Sequence, residues 1–280
     1  MKSRLDWAQR VAIVTGASTG IGRAVARDFV ARGVRVALVA RSAERLAALA
    51  TELGPDRALS IPLDVTDRVA LKELPGRVKA RWGRLDFVVN NAGVNHRGAV
   101  LERTPEELAS ILETNLVAPV LLTHAALPLL EADGVVVNVA SLAGKVPVPH
   151  EAAYSSSKAG LRAFGRALNT ELSLHGQRIR VATVCPGPVD TGFLGEDLSL
   201  VPDLVFSQPM STAEEVAEAV FVVIERGYQE LDVPAISGKL ATLGYLSPRV
   251  FGALRPLLER MGARRKAHFT ARNAARLRAR

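Results

Sequence analysis

The chain has 280 residues, 48% of them hydrophobic and 23% charged, with one cysteine and a formal net charge of +8. That length supports a sizeable core, so a disordered chain or a small disulfide-stapled scaffold is excluded, and a single cysteine excludes an internal disulfide. The charge is uneven: residues 249–280 hold ten Lys and Arg against the single acid Glu259, a local +9, which leaves −1 for residues 1–248. Composition therefore gives no support to nucleic-acid binding by the whole chain, and what remains to explain is one cationic tail.

The N-terminal residues, with Lys2, Arg4 and Asp6, lack the apolar run of a secretory signal, and no later apolar run reaches spanning length, so a cytoplasmic protein is expected. Short valine-rich runs then alternate with helical patterns, which predicts a parallel sheet covered by helices on both faces. The first strand, 11–14, leads through Thr15-Gly16-Ala17-Ser18-Thr19-Gly20-Ile21-Gly22 into a helix over 20–32. A diphosphate there would meet backbone N–H groups at a helix N-terminus, with Gly16 for the turn, Gly20 for close approach and Gly22 for helix packing. The second strand, 34–39, ends at Ala40-Arg41-Ser42. An acid at that point binds a ribose 2′-hydroxyl, whereas an arginine accepts a 2′-phosphate, so Arg41 with Ser42 favours NADP(H) over NAD(H). The alternative is a solvated arginine that merely starts the helix over 43–53.

The third strand, 58–63, is followed by Asp64-Val65, suited to an adenine pocket or, for Asp64, to capping a turn, and then by a helix over 67–82. A fourth strand at 87–89 precedes a helix opening at Thr104-Pro105-Glu106-Glu107 and a second helix around 115–130. After the fifth strand, 135–139, come Ser141 and a long helix over 153–174 that carries Tyr154 and Lys158. Four residues apart, these two share a helix face, and a neighbouring ammonium favours a phenolate over a phenol. A sixth strand at 179–184 leads into an irregular stretch, 186–209, long enough to suggest a function. Ser211 with Glu214 reads as a capping box for a helix ending near Arg226, and 231–233 as a short seventh strand.

Taken together, Thr15 to Gly22, Asn90-Asn91-Ala92-Gly93, Ser141, Tyr154-Ser155-Ser156-Ser157-Lys158 and Pro186-Gly187 resemble the short-chain dehydrogenase/reductase family over roughly residues 8–235. The resemblance implies a Rossmann-type α/β fold, doubly wound, with a parallel sheet of about seven strands. It implies an NADP(H)-dependent oxidoreductase that interconverts a secondary alcohol and a ketone. Tyr154 would exchange the proton, Lys158 would hold the nicotinamide ribose and lower the tyrosine pKa, Ser141 would position the carbonyl oxygen, and Asn115 would anchor a relay water. Cofactor contacts are implied for Gly16, Ser18, Thr19, Gly20, Ile21, Gly22, Arg41, Ser42, Asp64, Val65, Asn91, Ala92, Gly93, Tyr154, Lys158, Pro186, Gly187, Val189 and Thr191, with support from Asn90. Cys185 reads as a small buried residue and the five histidines show no metal-ligand spacing, so no metal is expected.

Residues 1–235 are thus expected to form the catalytic domain and 236–280 an extension, apolar and then basic, of a kind similar to that in relatives acting on lipids and other apolar carbonyl compounds. It has three readings: a solvated appendage, a lid or oligomer contact, and a peripheral contact with an anionic membrane. Few aromatic residues lie among its arginines, which argues against a nucleic-acid stacking surface. A homo-oligomer, dimer or tetramer, is expected from the family, although the extension puts the usual tetramer in question. The alternative to an enzyme is an NADP-sensing or scaffold protein whose basic tail binds an anionic partner. Val94, Asn95, His150 and Phe193 fall near the expected cleft without assigned roles.

Overall fold

The computed structural model describes residues 6–194, 198 and 201–278. Lys2 and Arg4 in the N-terminal stretch, positions 195–197 and 199–200 of the long irregular segment, and Arg280 lie outside the described residues. Seven strands, β1 (Val11–Thr15), β2 (Arg35–Ala40), β3 (Ala58–Pro62), β4 (Phe87–Asn90), β5 (Val135–Val139), β6 (Arg180–Pro186) and β7 (Glu230–Val233), form one sheet in the order β3-β2-β1-β4-β5-β6-β7. Every pairing is parallel. The strand order reverses between β1 and β4, and the carboxyl ends of these strands therefore open a crevice for a ligand.

Valine-rich strands suit this sheet because both of its faces are covered. Ala12 and Val14 join a core with Val25 and Phe29 of α1 (Gly20–Ala31), Leu46 of α2 (Ala43–Leu53) and Val220 of α7 (Ala213–Arg226). Val11 and Ile13 point the other way, to Leu71 and Leu74 of α3 (Arg68–Trp82), Leu122 of α5 (Ala118–Ala126) and Leu168 of α6 (Ala152–Leu174). This period-2 split along fully buried strands is what makes the first and fifth strands readable as apolar runs without alternation.

Several expectations are corrected. The two helices expected after β4 are one continuous run: α4 (Pro105–Leu112) passes through a π turn, Glu113–Val117, into α5 and a final 3-10 turn. That run, Pro105–Leu129, has the length and composition to cross a membrane, contrary to the sequence reading, but its buried Ile111, Asn115, Leu122 and Ala126 face other elements of the fold. The capping box of α7 is Thr212 with Glu215, one residue beyond the expected Ser211 and Glu214. Ser211 is instead held extended by its amide bond to the Pro188 carbonyl and its bridge to Val189. Thr212→Ala should therefore cost about 1 kcal/mol of stability, read as a lowered denaturation midpoint, while Glu214→Gln should change it by no more than a few tenths. Finally, the extension is helical: α8 (Ala235–Leu246) follows β7 directly, and α9 (Pro248–Arg278) continues through Pro256.

Candidate functional site

A cleft of about 1010 Å³ runs along the carboxyl ends of the strands. Of the residues expected to bind cofactor or to act in catalysis, all but Gly22 and Asn115 line it. Both exceptions stand just behind the wall. A Cβ on Gly22 would overlap the Gly16 carbonyl oxygen and come within 2.6 Å of Asn91 Nδ2, so glycine here lets α1 start against the loop. Asn90 is also internal: its Nδ2 donates to Thr123 Oγ1 (3.1 Å) and to Asn138 Oδ1 (2.9 Å).

One end of the cleft is built for an anion. Gly16 (φ 66°) and Gly20 (φ 52°) take left-handed backbone conformations that let the turn pass close to Asn91, Ala92 and Thr191. Thr19, the N-cap of α1, makes no side-chain bond to the first turn, so that helix start keeps uncapped backbone donors beside the cleft. Further along, Arg41 is exposed, and Ser42 caps α2 by accepting from the Arg45 amide at 3.4 Å. Asp64 does both things foreseen for it: it lines the cleft, and it closes a turn by accepting from the Thr66 amide (3.0 Å) and hydroxyl (2.8 Å). Those bonds, chiefly the one from the Thr66 amide, and the charge of Arg41 hold its carboxyl below the usual range. Glycine turn and uncapped helix start in one groove fit the diphosphate of a dinucleotide.

At the other end stand Ser141, Tyr154 and Lys158. Ser141 caps a 3-10 turn, accepting from the Ala143 amide at 3.1 Å, and its bond to the Pro186 carbonyl is long, 3.4 Å. The Lys158 ammonium donates to the Val139 carbonyl (2.9 Å) and lies 5.7 Å from the Tyr154 ring centroid. Spacing alone suggests that the lysine lowers the tyrosine pKa; burial acts the other way. Burial pushes the phenol up to about 12, aided by the charge of Glu151 and opposed by a bond from Ser141 and by Arg97. Burial likewise pushes the Lys158 ammonium down to about 8. Withdrawal from water penalises the charged form of each group.

Asn115 sits in the π turn, fully buried, its side chain accepting from the Val94 amide (2.9 Å) and donating to the Val94 carbonyl (2.9 Å) and Ser157 Oγ (3.2 Å). Its amide group is thus committed to fixing the loop after β4. Pro119, four residues on, has no N–H to give the main-chain carbonyl of Asn115 the usual helical bond. A π turn at such a point is a common device at functional sites.

Residues that sequence reasoning missed complete the cleft. Arg97 and Glu151 form an ion pair at 2.6 Å with side chains only 10% and 5% exposed, and Arg97 also donates to the Phe193 carbonyl (3.3 Å). Val94 and Phe193 line the wall, whereas Asn95 and His150 do not. Arg45, His96, Thr114, Val205 and Gln208 line it too. Arg45 had a readable signal, one helical turn beyond Arg41; the Arg97–Glu151 pair, 54 residues apart, had none. Cys185 is buried, with its thiol pushed up to about 12 by desolvation. Its sulfur and the carboxylates of Glu230 and Asp232 lie within 4.8 Å of one another, but the Lys145 ammonium already sits among them, 2.7 Å from Glu230 and 2.8 Å from Asp232.

A family model described as short chain dehydrogenase matches residues 10–199. The chain is 35% identical over 191 residues to dehydrogenase/reductase SDR family member 7B of Bos taurus, taking in 65% of this chain and spanning 58% of that relative's length. It is 33% identical over 243 residues to 15-hydroxyprostaglandin dehydrogenase, named as using NAD(+), of Homo sapiens, covering 84% of this chain and 85% of the other. Among solved structures, a short chain dehydrogenase from Burkholderia cenocepacia in complex with NADP superposes with a TM-score of 0.74 at 30% identity, over 81% of this chain and 97% of that one.

Proposed function

The chain belongs to the short chain dehydrogenase family, and we propose that it is an NADP(H)-dependent enzyme interconverting a secondary alcohol and a ketone of apolar character, with reduction the favoured direction. The observation that carries this reading is one cleft that joins a buried tyrosine and lysine beside Ser141 to a far end where β2 finishes in Arg41 and Ser42 rather than an acid.

When bound, the nicotinamide supplies or accepts a hydride. The chain does the rest. The amides at the start of α1 would hold the diphosphate, Arg41 and Ser42 the 2′-phosphate, and Asp64 and Val65 would border the adenine. Lys158 would hold the nicotinamide ribose. Ser141 would release its long bond to the Pro186 carbonyl and donate to the substrate oxygen. Tyr154, a neutral phenol, would give its proton to that oxygen as the alcohol forms, with replacement from the lysine side. A relay role for Asn115 falls to its main-chain carbonyl, since its side chain is engaged with Val94 and Ser157. Apolar substrates are favoured because Ala143, Val148 and Phe193 pack beside Tyr154, and Leu142 and Val205 add apolar wall to the same cleft.

The sign of the pKa shifts supports the reductive reading. A phenol raised to about 12 is protonated at neutral pH, as reduction requires, whereas oxidation needs the phenolate. Lys158, lowered to about 8, is charged below that pH and neutral above it. The reductive kcat/KM should therefore be level below about pH 8 and fall above it, while the oxidative rate should climb into the alkaline range. A reductive profile still rising beyond about pH 9 would contradict these assignments. The direct test is NADPH oxidation, with NADH in parallel, against carbonyl compounds graded from small and polar to large and apolar. Turnover with NADPH concentrated on the large apolar members is expected; tight NADPH binding with no turnover would instead favour a nucleotide-sensing protein.

A further inference from the structure

Behind the cleft wall, α9 lies across the 3-10 turn Asp203–Ser207. Residues 262, 266 and 269 share one face of α9 by their spacing. Gly262 is buried against this turn, and a Cβ there would overlap the Asp203 carbonyl oxygen and approach the Ser207 amide nitrogen to 3.2 Å. Lys266 Nζ donates to the Val201 carbonyl at 2.7 Å and pairs with Asp203 at 3.2 Å, while Arg265 Nη1 donates to the Ser207 carbonyl at 2.7 Å. Two cations from adjacent positions of α9 thus hold both ends of the turn. Phe269 packs its ring 5.8 Å from that of Phe206, in a small cluster with Val201 that is separate from the two cores against the sheet. Val205, packed against this cluster, and Gln208 line the cleft.

We propose that α9 is part of the substrate-selecting apparatus: Phe269, Lys266 and Arg265 are positioning residues that hold the Val205–Gln208 wall of the cleft in place without themselves lining it. A solvated appendage would have no need of a glycine pressed on a carbonyl or a phenylalanine inserted under the turn. Part of the basic charge of the extension is thereby accounted for, since Lys266 and Arg265 donate to carbonyl oxygens at the ends of the turn. The kinetic consequence rests on the catalytic reading above; the structural one does not.

The test uses the full chain carrying Phe269→Ala, the double change Arg265→Gln with Lys266→Met, or the conservative Phe269→Leu, each with NADPH bound. In the first two, backbone amides of 201–208 should exchange with deuterium at least about tenfold faster, with β1, β4 and β5 unaffected. KM for a large apolar ketone should rise about fivefold, while kcat and the NADPH Kd stay within about twofold and KM for a small ketone is unchanged. Phe269→Leu should recover most of both effects. Unchanged exchange in both disruptive variants overturns the proposal, as does faster exchange with no change in KM, or an equal loss for small and large substrates. If the unmodified chain turns over no carbonyl compound at all, the catalytic reading fails, and the exchange measurement by itself still decides whether α9 holds the wall.

Discussion

Tyr154→Phe is expected to lower kcat by about 10³-fold while leaving the Kd for NADPH within about twofold. Phenylalanine keeps the ring that packs 6.0 Å from Phe193 and stays nearly buried at 9% exposure, so the cleft wall survives. What is lost is one O–H. Because burial holds that group neutral up to about 12, its removal strands no buried charge, and the fold should tolerate the change. The proton that completes the alcohol must then come from water, which is the poorer donor in a site shaped around the tyrosine. Single-turnover rates and NADPH fluorescence titration separate the two quantities. A kcat reduced less than about tenfold would show that Tyr154 is not the acid, and a parallel collapse of NADPH binding would show that its part is structural. For a nucleotide-sensing protein the change should alter neither binding nor any rate.

The sign of the tyrosine shift illustrates what a sequence can and cannot carry. Spacing puts Tyr154 and Lys158 on one helix face, and there they are; but whether a pair is tuned towards the charged or the neutral form depends on how much water the rest of the fold removes, which no local pattern encodes. The same division holds elsewhere. The strands at β1 and β5 are legible because both faces of a parallel sheet are apolar, and the glycine turn is legible because Gly16 and Gly20 need positive φ. By contrast, Ser211 with Glu214 and Thr212 with Glu215 satisfy the capping pattern equally, and only the pairing of Ser211 with the 188–189 segment decides between them. Gly262 in α9 carries no local signal of its part, which is to let two backbones meet. The π turn at Asn115 is not foreseen: two helices are expected there, and Pro119 removes one rung of the ladder without showing that the helix runs on.

Arg41→Asp should shift cofactor preference from NADPH towards NADH by between about tenfold and a hundredfold, most of it as weaker NADPH binding. The site has no buried cage for the 2′-phosphate: Arg41 is exposed at the end of β2, Arg45 is exposed one helical turn on, and the Ser42 hydroxyl is half-engaged as the cap of α2. The attraction is therefore between a flexible cation and an anion in water, worth one or two charge-assisted hydrogen bonds rather than a buried ion pair. Inverting the charge removes those bonds and places a carboxylate beside Asp64, repelling a 2′-phosphate while offering an acceptor to a 2′-hydroxyl. The exposure makes a second observable available. The NADPH advantage of the unaltered chain should shrink as salt rises through the range where the screening length falls from about 10 Å towards 3 Å, and NADH binding should be far less sensitive. An unaltered cofactor ratio in Arg41→Asp would remove the arginine from the recognition of the 2′-position. A shifted ratio with no salt dependence would mean that Arg41 acts by shape, through the start of α2, and not by charge.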